Sequence, residues 1–217
     1  MPNYVYIPLT QDRMFLVFNM DSKSGKLSLN QEVKLSAQPW QLCTTPNRKY
    51  LYQQIRDDGY SGVATFQIDQ NNGKISQIGE ISLEEDSCYV NTDKTGRFLL
   101  AAYLIPGMVT VHEIGDDGAV LQPVVDRKPT ELYAHSIVTD STNRYAFVPH
   151  TAPTDTVYQF LFDNTTGKLE PNFPRKIKTI PGHGPRHIAF HPELDIIYAN
   201  SEEASCVTVY SLDLRSS

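Results

Sequence analysis

Little in this chain points to a stapled, membrane-spanning or nucleic-acid-binding protein. Its 217 residues hold three cysteines, Cys43, Cys88 and Cys206, odd in number, far apart and without a CxxC pair. That usage excludes a disulfide framework and predicts buried thiols in a reducing compartment. No run approaches the roughly 20 apolar residues of a membrane helix. The first twenty residues lack a basic start, and Asp12 and Arg13 break any apolar stretch, so no signal peptide is expected. Positive charge is scarce as well: 19 Lys and Arg stand against 25 Asp and Glu, a net −6. That is the wrong sign for a groove that binds nucleic acid by releasing counterions. The expectation is a soluble cytoplasmic chain, long enough to bury a core without staples.

What is present is a repeat. One segment recurs five times: Phe15 to Met20, Val63 to Ile68, Val109 to Ile114, Val157 to Phe162 and Val207 to Leu212. Their fourth residues, Phe18, Phe66, His112, Phe160 and Tyr210, are spaced by 48, 46, 48 and 50. A polar Gly turn follows four of them, SKSGKL, QNNGKI, DDGAV and NTTGKL. A second marker, a turn and an aromatic strand, precedes: PNRKYLY from Pro46, KTGRFLL from Lys94, TNRYAFV from Thr142 and a weaker HPELDIIY from His191. The segments are β-branched or aromatic, alternate with period two, and are bounded by Gly, Asn and Asp. No stretch of twelve residues keeps a helical period.

Each unit therefore reads as four antiparallel strands in about 45 to 50 residues, one blade of a β-propeller. The inner strands fall around Cys43, Val90, Ile137 and Ile188. The fold expected is an all-β propeller over 1–217, with repeats at 1–36, 37–84, 85–131, 132–182 and 183–217. The first blade starts at its aromatic strand, Asn3 to Ile7, and the last stops after Leu212 with only DLRSS remaining. About four and a half blades are present, with edges open for pairing to a second copy.

The densest segment is PGHGPRHIAFHPELD, Pro181 to Asp195. Gly182, Gly184 and Pro185 make a tight entry to an inner strand and leave Arg186 and His187 at its first positions. Arg186 offers a planar fork suited to a carboxylate or phosphate. Glu202 lies sixteen residues on, in the loop between the aromatic and repeated strands, and His135 starts the preceding blade's inner strand. The three come from adjacent blades and are expected to converge. Each also has a plainer reading: an inter-blade ion pair for Arg186, a hydrogen-bonded inner-strand histidine for His135, a solvated carboxylate for Glu202. His183, His187 and His191 share a strand face, but four residues span about 13 Å, too far for one ion, so no metal site is expected. Trp40 reads as core before channel lining, and Asp57, Asp58 and Asp86 as solvated turn charges.

GPRHIAFHP followed by Glu and VTVY, with an upstream His-Ser at an inner-strand start, resembles the seven-bladed propeller lactonases, a family of 6-phosphogluconolactonases and carboxymuconate-lactonizing enzymes. The resemblance implies a catalytic His135, Arg186 and Glu202, with His187, Asp155 and Tyr103 on the substrate side and no cofactor. It implies hydrolysis of an anionic sugar lactone. A lactone-forming cycloisomerase or a non-catalytic propeller module are the alternatives. Either Glu202 or His135 would be the general base toward water, the other the acid. The chain departs from the family pattern at Ile55 and Arg56, at Ala102 and at His150. Against seven blades it lacks an outer strand, two blades and a closing strand, and reads as a truncation.

Overall fold

The computed structural model describes residues 3–213. Met1, Pro2 and residues 214–217, which include most of the terminal DLRSS, lie outside the described residues. Eighteen strands form five antiparallel sheets, with no helix among the described residues. The first sheet holds β1 (Asn3–Leu9), β2 (Met14–Met20) and β3 (Leu27–Lys34). The second holds β4 (Gln38–Thr44), β5 (Tyr50–Asp57), β6 (Tyr60–Ile68) and β7 (Ile75–Ser82). The third holds β8 (Tyr89–Thr92), β9 (Phe98–Tyr103), β10 (Met108–Glu113) and β11 (Asp126–Pro129). The fourth holds β12 (Val138–Thr139), β13 (Tyr145–His150), β14 (Thr156–Phe162) and β15 (Leu169–Lys178). The last holds β16 (Pro185–Phe190), β17 (Ile196–Ser201) and β18 (Val207–Ser211). In chain order, three four-stranded blades come between two three-stranded sheets, the first without an inner strand and the last without an outer one among the described residues.

The residues group into two compact units: Met1–Asp86 with Ile114–Leu121, and Ser87–Glu113 with Gln122–Ser217. In the first unit Phe15 and Phe66 meet edge to face at 5.6 Å, amid Val17, Leu51, Ile55 and Ala64. In the second, Phe98, Leu100, Val109 and Val111 pack against Ala146, Val148, Tyr158 and Phe160. A further cluster of Tyr145, Phe147, Val157 and Ile197 joins the fourth sheet to the fifth. β9 and β13 are buried at every residue, as strands covered on both faces must be.

The two repeat markers touch one another. In the second unit the Phe98 ring lies against Gly167, where a β-carbon would meet Phe98 Cε1 at 2.6 Å. In the first unit Tyr4 lies against Gly73, and Tyr50 against Gly118. All three glycines have positive φ, 70, 86 and 74° for Gly73, Gly118 and Gly167, a region that side chains disfavour. The aromatic strand of one blade therefore seats on the Gly turn of the next, which ties both markers to one period.

Three expectations need correction. Trp40 is not core: it is 46% exposed, with the Arg56 guanidinium stacked 3.4 Å over its ring. It lies where the β4–β5 pairing skips from Pro39 to Leu42, and a bulge exchanges the face a side chain takes. Of the cysteines only Cys43 is buried; Cys88 is intermediate and Cys206 exposed. Asp57 is not a solvated turn charge: it ends β5, 26% exposed and 3.0 Å from Arg13, whereas Asp86, 59% exposed and 2.8 Å from Arg56, stays solvated as expected.

Candidate active site

The residues singled out around Pro181 to Asp195 meet within the second unit. Arg186 is the extra residue of a bulge, since β16 pairs Pro185 with Ser201 and then His187 with Asn200. A bulge re-aims its side chain. The backbone there is held by side chains: Ser136 Oγ donates to the Arg186 carbonyl at 2.9 Å, and the His187 N–H donates to Asn200 Oδ1 at 2.8 Å. His135 precedes β12, its N–H bonded to the Pro149 carbonyl at 2.9 Å.

Arg186 Nε donates to His135 Nε2 at 2.9 Å, and Arg186 Nη1 lies 3.5 Å from Glu202 Oε1. Both partners of the ion pair are 40% exposed, so it adds little stability. Arg186 Nη2 and Glu202 Oε2 engage no group among the described residues. They remain open to a ligand.

Because Nε2 accepts from Arg186, the imidazole of His135 carries its proton on Nδ1. Burial, then the Arg186 charge and His187, push its pKa down to about 4, so it is neutral at pH 7. Its one basic lone pair is occupied. His187 stands edge to face on His135 at 4.9 Å and against Tyr89 at 5.9 Å. Desolvation and the neighbouring guanidinium lower its pKa, opposed in part by Glu202.

Two of the expected site residues go elsewhere. Asp155 accepts the Gly182 N–H on Oδ2 at 2.8 Å and the Gly184 N–H on Oδ1 at 2.7 Å, so its carboxylate is committed to the loop before Arg186. Tyr103 is 1% exposed, its hydroxyl 3.1 Å from Thr110 Oγ1, which is 3.0 Å from His112 Nε2; it is buried in the core. Asn200 and Ser136 are the positions that sequence reasoning did not assign a role. Only their place opposite Arg186 and His187 in the pairing reveals one.

The three spaced histidines diverge. His183 Nδ1 is 3.6 Å from Cys206 Sγ, His187 stacks on His135, and His191 Nδ1 accepts the N–H groups of Glu193 and Leu194 at 3.1 and 3.0 Å. Among the described residues no group of three His, Cys, Asp or Glu is placed to hold a metal ion. A cavity of about 480 Å³ in this unit, lined by Glu131, Tyr133, Thr156 and Lys176 among others, contains none of the converging residues.

The sequence pattern of the family described as "Lactonase, 7-bladed beta-propeller" matches residues 8–216. The chain belongs to this family. A 6-phosphogluconolactonase of Pectobacterium carotovorum subsp. carotovorum is 33% identical over 217 residues, 100% of this chain and 63% of the relative. One of Yersinia pestis is 32% identical over 215 residues, 98% of this chain and 61% of the relative. This lactonase-family chain thus spans a little under two thirds of the length of the curated relatives it matches. Among solved structures, a periplasmic gluconolactonase of Pseudomonas aeruginosa is similar with a TM-score of 0.86 at 21% identity, covering 100% of this chain and 66% of that one. A Lactobacillus plantarum protein follows with a TM-score of 0.83 at 18% identity, covering 98% and 64%. At those identities the likeness is one of fold. No helix among the described residues is long and apolar enough to cross a membrane.

Proposed function

We propose that this chain carries the site of a lactone hydrolase for sugar-acid lactones, with 6-phosphogluconolactone the leading substrate. The observation that carries the reading is the convergence of His135, Arg186 and Glu202 in a lactonase-family chain whose relatives are 6-phosphogluconolactonases. Glu202, accessible and acceptor-only, takes a proton from water as that water attacks the lactone carbonyl. The N–H groups of Arg186 Nη2 face the oxyanion that forms, where a preorganised donor counts most. Collapse of the tetrahedral intermediate breaks the ring C–O bond, and Glu202 returns its proton to the ring oxygen, giving the hydroxy acid. His135 orients the guanidinium. The choice between two bases left by sequence falls to Glu202 because the His135 lone pair is used. A cytoplasmic location belongs to the same proposal, with three cysteines outside any disulfide as its support.

The test is proton release from 6-phosphoglucono-δ-lactone and from glucono-δ-lactone at pH 7, above the uncatalysed rate, beside loss of diene absorbance from a carboxymuconate. Turnover of either sugar lactone is expected. Cyclisation of the muconate alone assigns the lactone-forming reaction instead, and no turnover of any of the three reduces the chain to a binding module.

A further inference from the structure

Asp155 occupies the β13–β14 connection with φ of 49° and its side chain almost wholly buried. Its carbonyl accepts the Thr179 N–H at 2.8 Å and Thr179 Oγ1 at 3.0 Å, so the residue is anchored on the strand side as well as on the loop. What its carboxylate holds is unusual in one respect. Gly184, whose N–H it accepts, gives its own carbonyl to the Glu202 N–H at 2.9 Å. One glycine therefore joins Asp155 to Glu202 through its two backbone groups, two residues before Arg186. The conformation favours glycine: φ is +57°, and a β-carbon would displace the Glu203 carboxylate and lie 3.0 Å from the Ala152 nitrogen. A side chain there would strain the segment that links the two loops.

We propose that Asp155 is a positioning residue for the proposed lactonase site, setting the place of Glu202 against Arg186 through Gly184. A buried carboxylate that accepts two backbone N–H groups is a stiff anchor, since each bond is charge-assisted. A neutral amide at this position retains one acceptor and turns its NH₂ toward a backbone N–H. The loop carrying Glu202 then loses its fixed reference, and a misplacement of about 1 Å at a reacting group costs on the order of a hundredfold in rate. The activity arm of the test rests on the proposed function; the exchange arm does not.

Hydrogen exchange of the full chain is compared for the wild type and Asp155→Asn, with Asp155→Ser as the second variant should the first fail to fold. The expected result is at least tenfold faster exchange of the Gly184 and Glu202 amides together, with β13 and β14 unchanged. Acceleration at Gly182 and Gly184 that leaves Glu202 protected overturns the proposal, as does acceleration throughout the unit. In the lactone assay kcat falls at least tenfold with KM within about twofold, and Asp155→Asn adds no further loss to Glu202→Gln. Losses that multiply in the double variant show Asp155 acting independently of Glu202 and contradict the relay. A wild type without lactone turnover defeats the functional reading alone, and the exchange result still decides the relay.

Discussion

Arg186 donates its Nε–H to Nε2 of His135 across 2.9 Å, and that bond decides which tautomer the imidazole serves in. A histidine in this role is replaceable by another acceptor of similar reach. His135→Gln is expected to keep catalytic turnover within about tenfold of wild type, short of the roughly 10²–10⁴-fold loss of a general acid or base. His135→Ala should lose substantially more. Steady-state kinetics on the three proteins checks it, and equal loss in both variants would return proton transfer to His135.

Acid stability follows from three histidines held neutral. Burial pushes His112, His135 and His150 down to about 4 from 6.5. Between those values the unfolded chain binds protons that the folded chain refuses, so unfolding free energy rises with pH from about 4 to 6.5 and falls on acidification. His112 and His150 are the deeply buried pair, 5% and 0% exposed, and the linkage relation allows each up to about 3 kcal/mol. Urea midpoints at pH 7.0 and 5.0 should separate clearly. His150→Gln, which removes one such proton, should narrow the gap; an unchanged gap would locate the acid sensitivity elsewhere.

The glycines of the blade turns differ in what surrounds them. Gly167 has positive φ and the Phe98 ring against it, whereas Gly25, also at φ +71°, has nothing within 4 Å of a β-carbon. Gly25→Ala is expected to cost only the backbone term, about 1 kcal/mol. Gly167→Ala adds overpacking against a buried ring, for about 2–4 kcal/mol in all. Thermal melts of both variants test the ordering, which similar melting temperatures would refute.

The thiols should react with a disulfide reagent in order of exposure. Cys206 is exposed beside His183, while Cys88 turns its Sγ to the Ala134 and His135 carbonyls at 3.3 and 3.4 Å, and Cys43 is buried. A disulfide reagent applied to the native protein is expected to label Cys206 first and Cys43 only on unfolding. Mass mapping of the labelled peptides gives the answer directly.

The fold was legible because its markers are in contact. Phe98 and Gly167 stand far apart in sequence, yet they form one joint, so neither drifts without the other and the period shows through. The inner strands were harder to read. Trp40 and Arg186 both fall where strand pairing is interrupted, after Pro39 and Pro185 respectively, and alternation along a strand says nothing about facing once a residue is inserted. For Trp40 that produced a wrong assignment to the core. For Arg186 the resemblance to a family supplied what periodicity withheld. Tyr103 was hard to read for a related reason: the aromatic strands are buried on both faces, so the polar tip at their end meets a partner inside, Thr110. Asn200 carries no signal in a single sequence, because its task is to replace one ladder bond at the Arg186 bulge.

The central claim is that Arg186 and Glu202 act together on a lactone. Its most direct measurement is kcat/KM for 6-phosphoglucono-δ-lactone hydrolysis by the wild type, Arg186→Ala and Glu202→Gln, each confirmed folded by its melt. The account predicts turnover by the wild type and a loss of at least a hundredfold in both variants, the range reached on removing a transition-state donor or a proton acceptor. Wild-type rates in either variant would contradict it.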